Sequence, residues 1–183
     1  MKIQTWLLNP FIHIAGMKAM VIGLIIIAVT GIIGYQSNTH FDGVIDIHIS
    51  FSNNIHRYII ELLTPWLLVS FFMYIAGILL SKSQIRLVDV FGTQALARAP
   101  FILASFLGLV PAFHHLTIYS TEIFLLGIIM LIIIGWSVTL MYNAYRIVVN
   151  IKGERAVISF IIVLVISEII SKFLIFKFIM LRL

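Results

Sequence analysis

Five stretches of this chain are apolar for long enough to cross a bilayer, and short polar segments separate them. They run over residues 18–35, 56–80, 92–110, 121–145 and 156–178. At 1.5 Å per residue, about 20 apolar residues span the hydrocarbon. The pattern predicts an all-α integral membrane protein: one domain, residues 1–183, with five transmembrane helices. Pro65 lies inside the second stretch and predicts a kink there. The third stretch is interrupted by Gly92, Pro100 and Gly108 and followed by Pro111, which mark it as a structural motif. Gly23, Ala28, Gly31 and Gly34 in the first stretch permit close helix contact.

The connecting segments carry their own signals. Residues 1–17 mix Trp6, Leu7, Leu8 and Phe11 with Lys2, Gln4, Asn9 and His13, which predicts a short interfacial segment. Asn9-Pro10 ends one helix and starts the next. After Tyr35 comes the longest polar connection. Asp42-Gly43 is a two-residue hairpin signal, and Ile45, Ile47, Ile49 and Phe51 alternate with polar residues at strand period. A small extracytoplasmic hairpin is expected there, with Ser52 to Asn54 capping the next helix. Leu87 to Phe91 is read as an interfacial lead-in to the third span, and Pro111 to Ser120 as a short turn. The first apolar stretch is full span length without a small-residue cleavage site, so it is expected to stay uncleaved.

Composition agrees with this pattern. The chain is 62% hydrophobic and only 10% charged, more apolar surface than a soluble domain of 183 residues can bury. It has no cysteine, so disulfides, thiol catalysis and Cys-ligated metals are excluded. The net charge of +5 comes from basic residues scattered at segment ends, a topology pattern rather than a nucleic-acid stripe. Lys2, Lys18, Lys82, Arg86, Arg98, Arg146, Lys152 and Arg155 fall on one side, and Arg57, Lys172, Lys177 and Arg182 on the other. The richer side belongs in the cytoplasm. The N-terminus is then inside, and the hairpin and C-terminus are outside.

Two groups of residues carry candidate chemistry. His40, Asp42, Asp46, His48, His56, His114 and His115 share the outer side. Of these, His40, Asp46, His48, His114 and His115 are the candidate metal ligands. The simpler reading is a solvated loop, since no helical His-x-x-x-His or His-Glu-x-x-His pattern is present. The second group is the intramembrane charges Glu61, Arg98, Glu122, Glu168 and Lys172. Arg57–Glu61 and Glu168–Lys172 have i, i+4 spacing and are expected to pair. The competing reading is a polar cavity for a solute or proton. Arg98 and Pro100 are expected near the cytoplasmic interface, as a topological anchor or headgroup contact. An intramembrane hydrolase would need paired carboxylates, for which Glu61 and Glu122 are the candidates, or a Ser with a His at bundle depth. No phosphate loop, nucleophile elbow or zinc-protease helix is present.

Asn9-Pro10-Phe11 precedes the first span, and Val88-Asp-Val-Phe-Gly-Thr-Gln-Ala-Leu-Ala-Arg-Ala-Pro-Phe-Ile-Leu enters the third. Trp136 lies within the fourth. With the five-span layout, these residues resemble the Yip1-domain family. The resemblance implies five transmembrane helices and a cytoplasmic N-terminus. Eukaryotic members are linked to Rab GTPases and vesicle traffic. This chain, as it stands, has no long region before its first span, so it is similar to a bacterial member and that role is not carried over. The expected function is a structural, adaptor or lipid-organising component of the bacterial cytoplasmic membrane, with no catalysis and no cofactor. Its expected partners are membrane lipids and another membrane protein or a second copy, not nucleic acid. The alternative is a small-solute or ion transporter or channel using the outer acidic residues.

Overall fold

A computed structural model describes residues 3–52, 54–114 and 121–180. Among these residues, five helical stretches are long and apolar enough to cross a membrane: Gly16–Ser37, Ile55–Leu80, Leu87–Leu107, Thr121–Val149 and Glu154–Phe178. The fold is the expected all-α membrane bundle. In chain order the helices are α1 (Ile3–Leu8), α2 (Gly16–Ser37), α3 (Ile55–Leu80), α4 (Leu87–Leu96), α5 (Phe101–Leu107), α6 (Thr121–Val149) and α7 (Glu154–Met180). Pro65 lies inside α3 without interrupting it. Asn54 caps α3, its side chain accepting from the His56 amide at 3.0 Å. Pro10 opens a 3-10 turn, Pro10–Ile12, after α1. Lys2 and Arg182 lie outside the described residues.

The tightest crossing is between α2 and α4. Glycine makes it possible. A Cβ on Gly92 would lie 2.7 Å from the Met20 amide nitrogen and 2.8 Å from the Gly16 carbonyl oxygen, so the two backbones touch directly. Gly23 approaches Ala95 and Leu96 in the same way.

The third span begins at Leu87 rather than Gly92, because Leu87–Phe91 is already helical. Asp89 sits in that first turn, favoured by the helix dipole, 3.9 Å from Arg86. The span then breaks. Pro100 has no amide hydrogen, and residues 98–102 bond at i→i−3, as in Arg98 N to Ala95 O at 3.2 Å and Phe101 N to Arg98 O at 3.0 Å. Side chains satisfy carbonyls along the broken span: Ser137 Oγ donates to Ala97 O at 3.0 Å, and Trp66 Nε1 to Phe91 O at 3.2 Å. Irregular backbone at this depth survives only where neighbouring helices supply such donors. Pro111 starts a 3-10 turn ending at His114.

The hairpin differs from its sequence signal. Its strands are β1 (Thr39–His40) and β2 (His48–Ile49), antiparallel, with Thr39 opposite Ile49 and His40 opposite His48. Asp42-Gly43 is therefore not the turn. It lies in the connection between the strands, and Gly43 does not take a positive φ. Packing overrides the turn propensity: Phe41 and Val44 are buried in the bundle, and a Cβ on Gly43 would collide with the Glu168 carboxylate. Asn38, in the left-handed region at φ 53°, caps α2 and turns the chain into β1.

Gly92→Ala is expected to destabilise the purified protein in detergent by about 1–3 kcal/mol through overpacking at the α2–α4 contact, seen as a lower unfolding temperature. Gly127→Ala, where a new Cβ meets nothing within 4 Å, is expected to be neutral or stabilising by up to about 1 kcal/mol. Thermal unfolding of both variants checks the contrast.

Candidate functional site

The α2–α3 connection folds down onto one end of the bundle, here called the hairpin end. Two carboxylates rise to meet it. The first is Glu61 of α3, only 1% exposed. Arg57 lies one turn earlier on the same helix and donates through Nε to Glu61 Oε1 at 2.6 Å, the i, i+4 pair expected from spacing. The other oxygen, Oε2, lies 2.6 Å from His40 Nδ1. His40 is itself fully buried, and its Nε2 lies 2.9 Å from the Ser50 carbonyl oxygen. Both ring nitrogens are thus occupied, which removes His40 as a metal ligand. Its ring stacks on Tyr58 at 4.3 Å and on His48 at 5.4 Å. A buried carboxylate needs this degree of pairing, because desolvating it alone is prohibitive.

The second carboxylate is Glu168 of α7. Its Oε2 accepts from the Val44 amide at 2.5 Å and the Ile45 amide at 3.1 Å, so it caps the loop between the strands. Lys172 lies 4.0 Å from Glu168 Oε1 but makes its close ion pair with Asp46 of the loop. The expected Glu168–Lys172 pairing is therefore the weaker contact, because the loop carboxylate comes closer. Beside this tether, His48 Nδ1 faces Asp42 Oδ1 at 3.5 Å, an ion-pair distance rather than a short hydrogen bond. Burial alone would push the Asp42 carboxyl up. The contact with His48 and the charges of His48 and Lys172 outweigh burial and hold it below its ordinary value. The same contact raises His48. Burial opposes that rise, and the charges of Asp42, Asp46 and Glu61 add to it.

A second polar group lies deeper. Arg98 sits midway along the broken third span and is 2% exposed. It is thus inside the bundle: helix starts at Leu87, earlier than the apolar pattern indicates, which puts Arg98 near the middle of the helical stretch Leu87–Leu107. Its guanidinium lies over the Phe101 ring at 4.8 Å, and Nη1 and Nη2 have no hydrogen-bond partner among the described residues. One turn earlier, Gln94 donates through Nε2 to Met141 O at 3.1 Å. Pro100 is the helix-breaking residue beside Arg98.

Glu122 is exposed in the first turn of α6, while Glu61 has both oxygens taken. Among the described residues no ion pair or hydrogen bond joins Glu61 to Glu122. His115 lies outside the described residues. Asp46 and His48 do come together, and Asp42 joins them. The buried His40–Glu61 contact was not evident from the chain, since the two residues are 21 apart and on different elements. The one available signal was the cost of a span carboxylate with a single helical partner, which demands a second.

The opposite end of the bundle holds α1. Trp136 Nε1 of α6 donates to the Leu7 carbonyl at 2.7 Å, and Asn143 Nδ2 to the Leu8 carbonyl at 2.8 Å. These side chains cap the C-terminal carbonyls of α1 and fix it along α6, while Ile3, Leu7, Leu8 and Ile12 stay exposed. Lys82, Arg86, Arg146, Lys152 and Arg155 are exposed at this end.

Glu61→Ala leaves Arg57 and the buried His40 Nδ1 without their partner and is expected to cost about 3–5 kcal/mol. Lys172→Ala breaks a half-exposed pair and is expected to cost less than about 1 kcal/mol. Denaturation of both variants in one detergent separates the buried pair from the peripheral one.

The Yip1 domain matches residues 1–171, from before α1 to within α7. No curated protein and no solved structure matches the chain. The matched region takes in the capped α1, the glycine-mediated α2–α4 crossing and the broken third span, and the chain belongs to the Yip1-domain family.

Proposed function

We propose that this Yip1-domain protein is a structural and lipid-organising component of a bacterial cytoplasmic membrane, with no catalysis of its own. Its cationic end faces the cytoplasm, which puts the N-terminus inside and the hairpin and C-terminus outside. The observation that carries this reading is α1, a short helix pinned to α6 with its apolar residues uncovered. Such a segment enters the headgroup and acyl boundary of one leaflet as a wedge. The exposed cations beside it attract anionic headgroups by about 1 kcal/mol each near the surface. On the other half of the bundle, α2 and α3 border a groove of about 530 Å³ lined by apolar residues, among them Leu24, Gly31, Tyr35, Ile59 and Leu62. The partners are membrane lipids, together with another membrane protein or a second copy of the chain.

One observation favours a second reading, a solute or ion path. The third span is broken and holds a buried arginine with uncommitted nitrogens, a feature of discontinuous transporter helices. Against it, two of the three acidic residues such a path would use, Glu61 and Glu168, are already committed to partners, while the third, Glu122, is exposed in the first turn of α6.

Reconstitution into liposomes containing anionic lipid is expected to change vesicle size and shape. Trp136→Phe removes one donor to α1, worth about 1 kcal/mol, and is expected to reduce the effect. Unaltered vesicles, with no partner captured by pull-down, would rule the reading out. Ion flux in the same liposomes that Glu168→Gln abolishes would establish the second.

A further inference from the structure

We propose that Asp42, Asp46 and His48 form a binding site for a zinc-class divalent cation at the hairpin end. Each offers one ligand atom, and the three atoms lie within 4.8 Å of one another. Tetrahedral zinc with bonds near 2.0–2.1 Å separates its ligand atoms by about 3.4 Å. His48 Nδ1 and Asp42 Oδ1 are already 3.5 Å apart. The Asp42 Oδ1 atom is shielded from solvent, and its nearest charged neighbour is His48 Nδ1.

The site is held in place from beneath. His48 stacks on His40, which Glu61 and the Ser50 carbonyl lock through both ring nitrogens. The β pairing sets His40 directly opposite His48. The loop that carries Asp42 and Asp46 is pinned by Glu168 through the Val44 and Ile45 amides. Buried neighbours that orient the ligands in this way are part of what makes a metal site. One imidazole and two carboxylates favour a borderline metal over magnesium or calcium, which take six or more oxygens. Three protein ligands leave a fourth position open, the arrangement of an exchangeable site rather than a closed structural one.

Lys172 is the cation that Asp46 now holds. A divalent ion at the same carboxylate repels the ammonium, so Lys172 acts against binding and sets the affinity. This gives the test a direction that damage to the fold cannot imitate.

Tag-free full-length protein in detergent is titrated with zinc chloride by calorimetry. One zinc per chain, bound saturably and not displaced by millimolar magnesium, is the expected result. Asp42→Asn and His48→Asn are each expected to weaken binding by more than about tenfold, since orienting neighbours alone are worth that much. Lys172→Met is expected to tighten it. The proposal is overturned by non-saturable binding, by His48→Asn binding as tightly as the parent, by magnesium competing equally, or by Lys172→Met leaving the affinity unchanged.

Discussion

A carboxylate inside an apolar bundle must be met by partners, and two such carboxylates organise one end of this protein. Glu61 and Glu168 stand on different helices, α3 and α7, and the α2–α3 connection is drawn down to both. Each is satisfied differently. Glu61 takes a cation from its own helix and an imidazole from β1. Glu168 takes two backbone amides from the loop. The loop is short of hydrogen bonds of its own, with two-residue strands, so these anchors replace the ladder that a longer hairpin would have. In return, the loop gives the carboxylates the donors that lipid cannot.

The same rule governs the broken third span. Where Pro100 interrupts the helical ladder, Ser137 and Gln94 bridge α4 and α6, and Trp66 reaches across from α3. The break is largely enclosed by helices, with Leu96, Ala97, Arg98 and Phe101 buried. Arg98 at its centre is the one charged group there whose Nη nitrogens lack a partner among the described residues, and the Phe101 ring supplies only a cation–π contact. Glycine makes the enclosure possible, because Gly23 and Gly92 let α2 and α4 close without intervening side chains.

The parts of this architecture that depend on length and apolar content were legible in the chain. All five spans, the interfacial helix at the start and the Asn54 cap follow from period and composition. The Arg57–Glu61 pair follows from helical spacing. What was not legible depends on contacts between distant segments. Asp42-Gly43 has the chemistry of a tight turn, yet packing of Phe41 and Val44 and the Glu168 anchor spread the loop open. Arg98 has the chemistry of an interface anchor, yet neighbouring helices bury it inside the bundle. Lys172 has the spacing to pair with Glu168, yet Asp46 arrives from the loop and takes it. In the first and third cases a local preference is overridden by a partner more than about 100 residues away, which hydrophobic period cannot register.

The tie between Val44 and Glu168 has a consequence for biogenesis. The two residues are 124 apart, with the loop made early and α7 made last. During synthesis the segment after the first crossing reaches its side of the bilayer with its amides open and water as their only acceptor. The stretch around Val44 and Ile45 is set only when the final helix enters and delivers its carboxylate. Termination upstream of residue 168 would thus yield a chain whose first four crossings are present and whose earliest surface loop keeps its Glu61–His40 anchor but lacks the one at its middle.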